Sequence, residues 1–158
     1  MIDHAFKLAE EELPSREELR RCLEFQCKHD MRGMEVWFLP EFWFYSDVLE
    51  LMDRGDIVYD VAAGFFTLSL LLAEKCRKVY AIEVNPTLVA EALKIIGYDL
   101  PRNLIVICGN ALNLPLPPDI TKIVLLHIHW QHPIPKSWRK YPIITSIGGE
   151  LKILDKGG

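Results

Sequence analysis

The segment from residue 56 to residue 111 constrains the fold most, because three short apolar runs alternate there with two helical patterns. The apolar runs cover residues 57–61, 79–82 and 104–108. Strands that alternate with helices form βαβ units, in which the strands are parallel and lie in one sheet. We therefore expect an α/β domain in which the ends of these three strands meet along one edge of a sheet.

A turn of small residues follows the first apolar run. Ala62, Ala63 and Gly64 precede a helical pattern that begins near Thr67. Small residues let the backbone approach a ligand, and the free N–H groups of the next helix then point at it. Glu83 ends the second run nineteen residues after Gly64. At about this spacing a carboxylate accepts hydrogen bonds from ribose hydroxyls, so the pattern predicts a nucleotide-like ligand.

These motifs resemble those of the class I S-adenosylmethionine-dependent methyltransferases. The first family motif is similar to D-x-G-x-G-x-G-T-L, and residues 60–68 of this chain read DVAAGFFTL. Residues 79–86, VYAIEVNP, match the second motif, and residues 109–111, GNA, resemble the G-D-A of the third. The likeness is good over residues 56–128 and weaker over residues 143–155.

The resemblance implies one compact α/β domain. Its core, residues 56–158, would be a Rossmann-like, doubly wound and mainly parallel sheet of about five strands in the order 3-2-1-4-5. Residues 1–55 would form a helical N-terminal extension. Six aromatic residues lie within residues 34–45 of that extension. They either line a substrate entrance or pack the N-terminal helices onto the sheet.

The resemblance also implies that the chain binds S-adenosylmethionine and transfers its methyl group to an acceptor that is a small molecule, an RNA or a protein. Asp60 and the turn after it would face the methionine end of the cofactor, Glu83 would hold the ribose, and Val84 would flank the adenine. The implied cofactor-binding residues are Asp60, Ala62, Gly64, Phe65, Glu83, Val84, Asn110, Ala111 and His127. No metal is implied, and no motif identifies a catalytic residue.

The chain departs from the family pattern at several positions. Ala62 and Phe66 replace two glycines, and Asn110 stands where the family usually has Asp. Ala62 fits without strain where its φ is negative, and Phe66 is tolerable if its ring turns into the sheet–helix interface. These departures leave open a non-catalytic S-adenosylmethionine-binding or assembly protein. A nicotinamide-dependent oxidoreductase is a further alternative, although its G-x-G-x-x-G fingerprint is incomplete here.

Three histidines follow the fourth apolar run, at the edge where a doubly wound sheet meets its ligand. His127 or His129 could act as a general base near neutral pH. Together with His132 they could bind a metal, or one could pack while the others are solvated. The D/N-P-P-Y/F motif of amino-methylating members does not occur here.

Charge is unevenly distributed along the chain. Residues 1–119 carry 12 basic and 20 acidic side chains, whereas residues 120–158 carry 6 basic and 2 acidic ones. Within the second part, residues 136–141 interleave Lys and Arg with Trp and Tyr. This stretch suits a nucleotide partner or an amphipathic cover over the sheet. The acidic first part disfavours a broad nucleic-acid footprint.

The remaining expectations concern location and assembly. The N-terminal residues have no apolar signal core, no run approaches the ~20 apolar residues of a membrane span, and the four cysteines follow no disulfide or zinc spacing. We therefore expect a cytoplasmic protein with no membrane partner.

Gly148-Gly149 and residues 150–154 resemble the start of the family's fifth strand, after which the family normally adds two more strands. A homodimer is one way to cover the edge left open.

Overall fold

The computed structural model describes residues 44–64, 66–126 and 132–155. Residues 44–50 are helical and are called α1 here. Two longer helices follow, α2 (Thr67–Lys75) and α3 (Pro86–Ile96). The strands are β1 (Ile57–Val61), β2 (Lys78–Glu83), β3 (Leu104–Cys108), β4 (Lys122–Leu125), β5 (Ile143–Ile147) and β6 (Glu150–Leu154). Short 3₁₀ segments cover Gly97–Asp99, Ala111–Asn113 and Lys136–Lys140.

The six strands form one sheet in the order β3-β2-β1-β4-β5-β6. The strands from β1 to β5 are parallel, and β6 pairs antiparallel with β5. All five residues of β1 are buried, as expected for a central strand of a sheet that is covered on both faces. The predicted α/β class, the mainly parallel sheet and the order of its first five strands are confirmed.

The two faces of the sheet are covered differently. On one face α1, α2 and α3 bury an apolar cluster around Val58, Leu72 and Val89, which we call the helix-side core. On the other face lie Tyr59, Ile123 and Trp138, the centre of what we call the turn-side core. Crossovers with 3₁₀ segments cover this second face, and prolines in both crossovers disfavour longer helices there.

The C-terminal part of the sheet differs from the expectation in one respect. The resemblance to the family predicts that the fifth strand begins at residues 150–154. Instead β5 occupies Ile143–Ile147, and residues 150–154 form a sixth strand. Gly148 and Gly149 have φ values of 59° and 78°, which is the left-handed geometry of a two-residue hairpin turn. The glycine pair therefore reverses the chain rather than starting a parallel strand.

Most of the predicted N-terminal extension lies outside the described residues, so its boundary with the core stays a prediction. Its last part, α1, packs on the sheet through Tyr45 and Val48, which are buried in the helix-side core. No helix in the described part of the chain has the length and apolarity that crossing a membrane requires.

Candidate functional site

The carboxyl ends of β1, β2 and β3 lie side by side, as parallel pairing requires. Val61 is in register with Ile82, and Glu83 with Cys108. Two backbone hydrogen bonds extend this alignment beyond the strands. Ala63 N donates to Ile82 O at 2.9 Å, and Gly109 N donates to Glu83 O at 3.0 Å. The three sequence motifs therefore meet at one edge of the sheet, which we call the carboxyl edge.

The turn after β1 has an unusual backbone. Ala62, Gly64 and Phe66 all have positive φ, with values of 57°, 61° and 64°. This left-handed conformation costs an L-residue other than glycine about 1–2 kcal/mol. The condition under which Ala62 would fit without strain, a negative φ, is therefore not met. The turn keeps a glycine-type conformation at two positions where the glycines are replaced.

Phe66 offsets its strain by burial. Its ring is fully buried within the helix-side core, and fully burying a side chain of this size contributes about 1.5–3 kcal/mol. The ring therefore points into the sheet–helix interface and away from the edge, as its replacement of a glycine required. Its backbone remains part of the turn, because Phe66 N donates to Ala63 O and Leu70 N donates to Phe66 O.

The Glu83 carboxylate joins the turn to the end of β2. Its Oε1 accepts from Gly64 N at 2.9 Å, and its Oε2 accepts from Asn85 N at 2.8 Å. The side chain is 7% exposed. Because each carboxylate oxygen can accept two hydrogen bonds, both oxygens keep capacity for a ligand hydroxyl.

Asp60 is a second buried carboxylate at the same edge and is 4% exposed. Ser69 Oγ donates to Asp60 Oδ2 at 2.6 Å. Burial and, to a smaller extent, the negative charge of Glu83 raise the pKa of Asp60 to about 7, against the opposing effect of the Ser69 hydrogen bond. Within the described residues neither Asp60 nor Glu83 has a salt-bridge partner. The carboxyl edge thus holds negative charge that no described cation balances.

The other predicted residues near this edge differ in exposure. Val84 is 63% exposed directly after β2, whereas Ala111 is buried in the turn-side core. Asn110 is exposed, and its Oδ1 accepts from Leu112 N at 3.0 Å. Asn85 caps the amino end of α3, because its Oδ1 accepts from Thr87 N and Leu88 N.

Two predicted cofactor-binding residues, Phe65 and His127, lie outside the described residues, as does His129. His132 is described and is exposed. In the described part of the chain, no group of three His, Cys, Asp or Glu side chains is placed to hold a metal ion.

Sequence reasoning missed two polar residues of α2 at this edge. Ser69 supplies the hydrogen bond to Asp60. Thr67 Oγ1 is buried and has no hydrogen-bond partner among the described residues. The sequence could have indicated both residues, because their hydroxyl side chains interrupt an apolar helix pattern directly after the turn.

No family model matches the chain. A probable ribosomal RNA small subunit methyltransferase A from Pyrobaculum islandicum is 43% identical over 88 residues, which are 54% of this chain and 36% of that protein. A protein of the same name from Methanosarcina barkeri is 31% identical over 101 residues, 61% of this chain and 34% of that protein. This chain therefore spans about a third of the length of these relatives.

Solved structures show the same fold. A precorrin-6y C5,15-methyltransferase from Geobacter metallireducens superposes with a TM-score of 0.53 at 15% identity, over 64% of this chain and 60% of that one. The named relatives and this structural likeness confirm the resemblance to class I methyltransferases and their Rossmann-like fold.

Proposed function

We propose that this chain binds S-adenosylmethionine at the carboxyl edge and transfers its methyl group to an RNA. The observation that carries the proposal is the meeting of the three motifs at that edge, with Glu83 joined to the Gly64 backbone at 2.9 Å. The named relatives support the activity, but the chain spans only about a third of their length.

The residues present fit this cofactor in charge. S-adenosylmethionine carries a sulfonium and an ammonium, and the edge offers two carboxylates, Asp60 and Glu83, with no salt-bridge partner among the described residues. A cation beside a buried carboxylate favours its ionised form and lowers its pKa. Thr67 Oγ1 adds a buried polar atom without a described partner.

Two further features of the carboxyl edge support a ligand site. The left-handed turn at Ala62, Gly64 and Phe66 holds the backbone in a conformation that costs about 1–2 kcal/mol per non-glycine residue. Strain of this kind concentrates at functional sites. Val84 offers an exposed apolar side chain beside Glu83 for a planar group.

In the proposed mechanism the chain supplies binding and orientation. When bound, S-adenosylmethionine supplies an electrophilic methyl group that an acceptor attacks in line with the sulfonium. Glu83 would orient the ribose through the free capacity of its two oxygens, and the turn would fix the methionine end. Holding two reactants in line accounts for much of the catalysis that such a reaction needs.

The names of the relatives favour RNA as the acceptor. Both are probable ribosomal RNA methyltransferases, and a transfer RNA methyltransferase from Pyrococcus abyssi matches 72 residues at 28% identity. A small molecule and a protein are the other acceptor classes that a methylation assay would distinguish.

Titration calorimetry with S-adenosylmethionine and S-adenosylhomocysteine tests the proposal. We expect one site per chain with a dissociation constant in the micromolar range, which corresponds to about 8 kcal/mol. Absence of heat and of a thermal shift at millimolar ligand would favour a non-catalytic protein on a methyltransferase-like fold. Binding of a nicotinamide cofactor instead would favour an oxidoreductase.

A further inference from the structure

The strongest charge feature away from the carboxylates is a stretch of the chain without acidic residues. Between Asp119 and Glu150 the sequence contains no Asp or Glu but four Lys or Arg residues, Lys122, Lys136, Arg139 and Lys140. The whole chain has 22 acidic and 18 basic residues. A segment with a net charge of +4 therefore lies within a chain whose other residues sum to −8.

Three of these four cations are exposed, whereas Lys122 is paired inside the protein. Lys122 Nζ donates to Asp56 Oδ2 and to Leu51 O. Lys136, Arg139 and Lys140 are exposed on the 3₁₀ segment Lys136–Lys140, which we call the basic turn. Neither Lys136 nor Lys140 has an acidic partner among the described residues, in contrast to Lys152, which pairs with Glu150 at 2.9 Å.

Trp138 holds the basic turn in place. Its ring is buried in the turn-side core and meets Tyr59 of β1 edge to face, with 6.1 Å between the ring centroids and 77° between the planes. Trp138 N donates to Pro135 O, and Tyr141 N donates to Trp138 O. Because the aromatic ring points inward, the cations on either side of it are presented outward on a fixed backbone.

The basic turn lies in the part of the β4–β5 crossover that leads into β5. Two residues after it, Pro142 O accepts from Ile123 N at 3.0 Å, near the amino ends of β4 and β5. The rest of the chain is acidic and repels a polyanion at long range. An RNA would therefore approach by the β4–β5 side.

We propose that the basic turn is an RNA-binding surface that contacts phosphates through Lys136 and Lys140. This inference rests on the proposed RNA methylation and names the surface that would serve it. Phosphate contacts of this kind position an RNA without reading its sequence. They also give binding a steep dependence on salt.

Fluorescence anisotropy with a labelled single-stranded RNA of mixed sequence tests the proposal. The RNA is about 20 nucleotides long, which exceeds most single-domain binding sites. The test variant is Lys136→Gln with Lys140→Gln. The matched control is Arg77→Gln with Arg102→Gln, which removes the same charge from two exposed positions next to the amino ends of β2 and β3.

We expect the test variant to bind this RNA about tenfold more weakly than the parent and to lower the slope of log affinity against log salt by about 1.4, or about 0.7 for each lost phosphate contact. The control should stay within about twofold of the parent. Equal weakening by both variants would overturn the proposal, because bulk charge would then explain binding. A parent chain that binds no RNA at about 50 mM salt would also overturn it.

Lysine acetylation of the parent, with and without RNA, gives a second readout that needs no variant. Protection of Lys136 and Lys140 is expected, and protection of other lysines alone would contradict the surface. Binding of a poly-glutamate peptide in place of RNA would overturn the proposal in favour of a protein partner. These RNA-binding measurements are made without S-adenosylmethionine. They therefore test the basic turn even if the calorimetry shows that the cofactor does not bind.

Discussion

Strand β1 carries a buried carboxylate near each end, and the two carboxylates have opposite surroundings. Asp56, directly before the strand, is 7% exposed and accepts from Asp53 N, Thr121 Oγ1 and Lys122 Nζ, each at 2.7 Å. Burial alone would raise the pKa of Asp56, but these hydrogen bonds and the Lys122 charge lower it below its usual range. Among the described residues, Asp60 near the other end has the Ser69 hydroxyl and the like charge of Glu83 beside it, and its pKa is raised to about 7.

The difference distinguishes a structural end of the sheet from a candidate ligand site. At the amino ends of the strands, which we call the amino edge, Lys122 and Thr121 satisfy the Asp56 carboxylate, so it needs no ligand there. At the carboxyl edge the Glu83 carboxylate lies close enough for its charge to raise the pKa of Asp60. Such an arrangement is unfavourable for the isolated protein and is relieved by a cationic ligand.

The largest expected effect comes from breaking the amino edge. Lys122→Ala should lower the free energy of unfolding by about 2–3 kcal/mol, because it leaves the Asp56 carboxylate buried without its cation. The control is Lys152→Ala, whose partner Glu150 is 72% exposed. Exposed ion pairs contribute at most about 1 kcal/mol, so this control should cost less. Urea unfolding at neutral pH measures both variants, and equal losses would contradict a structural role for the Lys122–Asp56 pair.

The next effect concerns pH. Asp60 is protonated in the folded chain up to about pH 7, whereas an unfolded Asp ionises near pH 3.9. The folded state therefore binds the extra proton, and stability falls as pH rises from about 4 to 7, by up to about 1.4 kcal/mol per pH unit from this group. Asp60→Asn should remove this slope and keep an oxygen for the Ser69 hydroxyl.

The control for the pH experiment is Asp119→Asn. The pKa of Asp119 is lowered by hydrogen bonds from Lys78 and Tyr80, so its contribution to stability is lost only as pH falls below about 4. The change in urea midpoint between about pH 5 and pH 8 should therefore be abolished by Asp60→Asn and retained by Asp119→Asn, which shifts the midpoint equally at each pH. A parent slope that survives Asp60→Asn would mean that another group titrates.

The sequence predicted the two edges unequally well. The alternation of apolar runs and helical patterns placed Glu83 and Gly64 at one edge, because parallel strands leave no other arrangement for residues at their carboxyl ends. Strand β5 was missed, since residues 143–147 follow a proline-rich stretch and local sequence does not encode pairing direction. The network around Asp56 joins it to Thr121 and Lys122, which follow it by 65 and 66 positions in the chain. No local sequence pattern indicates contacts over such a separation.

The left-handed turn could not be predicted for a different reason. Intrinsic preferences argue against positive φ at Ala62 and Phe66, and only tertiary packing overrides them. For Phe66 that packing is the burial of its ring in the helix-side core.

A smaller effect is expected from removing the Glu83 carboxylate at the carboxyl edge. Glu83→Ala should weaken S-adenosylmethionine binding by about 1–3 kcal/mol, the cost of leaving polar partners unpaired. Thr121→Ala is the control, because it removes hydrogen bonds to Asp56 and from Ile57 N at the amino edge. Both variants should lose stability, and only Glu83→Ala should lose affinity in calorimetry. Unchanged affinity in Glu83→Ala would place the ribose elsewhere.

The smallest effect tests the strained turn by two neighbouring substitutions of opposite sign. Ala62 has a φ of 57°, whereas Ala63 is not among the described residues with positive φ. Ala62→Gly should raise the free energy of unfolding by about 0.5–1 kcal/mol, since relief of the left-handed strain exceeds the entropy that glycine adds to the unfolded chain. Ala63→Gly adds the same entropy without relieving strain and should lower stability by about 0.5–1 kcal/mol.

The pair is informative because each substitution removes a single methyl group and the two sites are adjacent. Phe66→Gly is a poorer probe, since it would also empty a fully buried site in the helix-side core. If both alanine variants lose stability in thermal unfolding, the turn after β1 does not hold the left-handed conformation in solution. The argument that links backbone strain at the carboxyl edge to cofactor binding would then fail, while the contrast between Asp56 and Asp60 would remain.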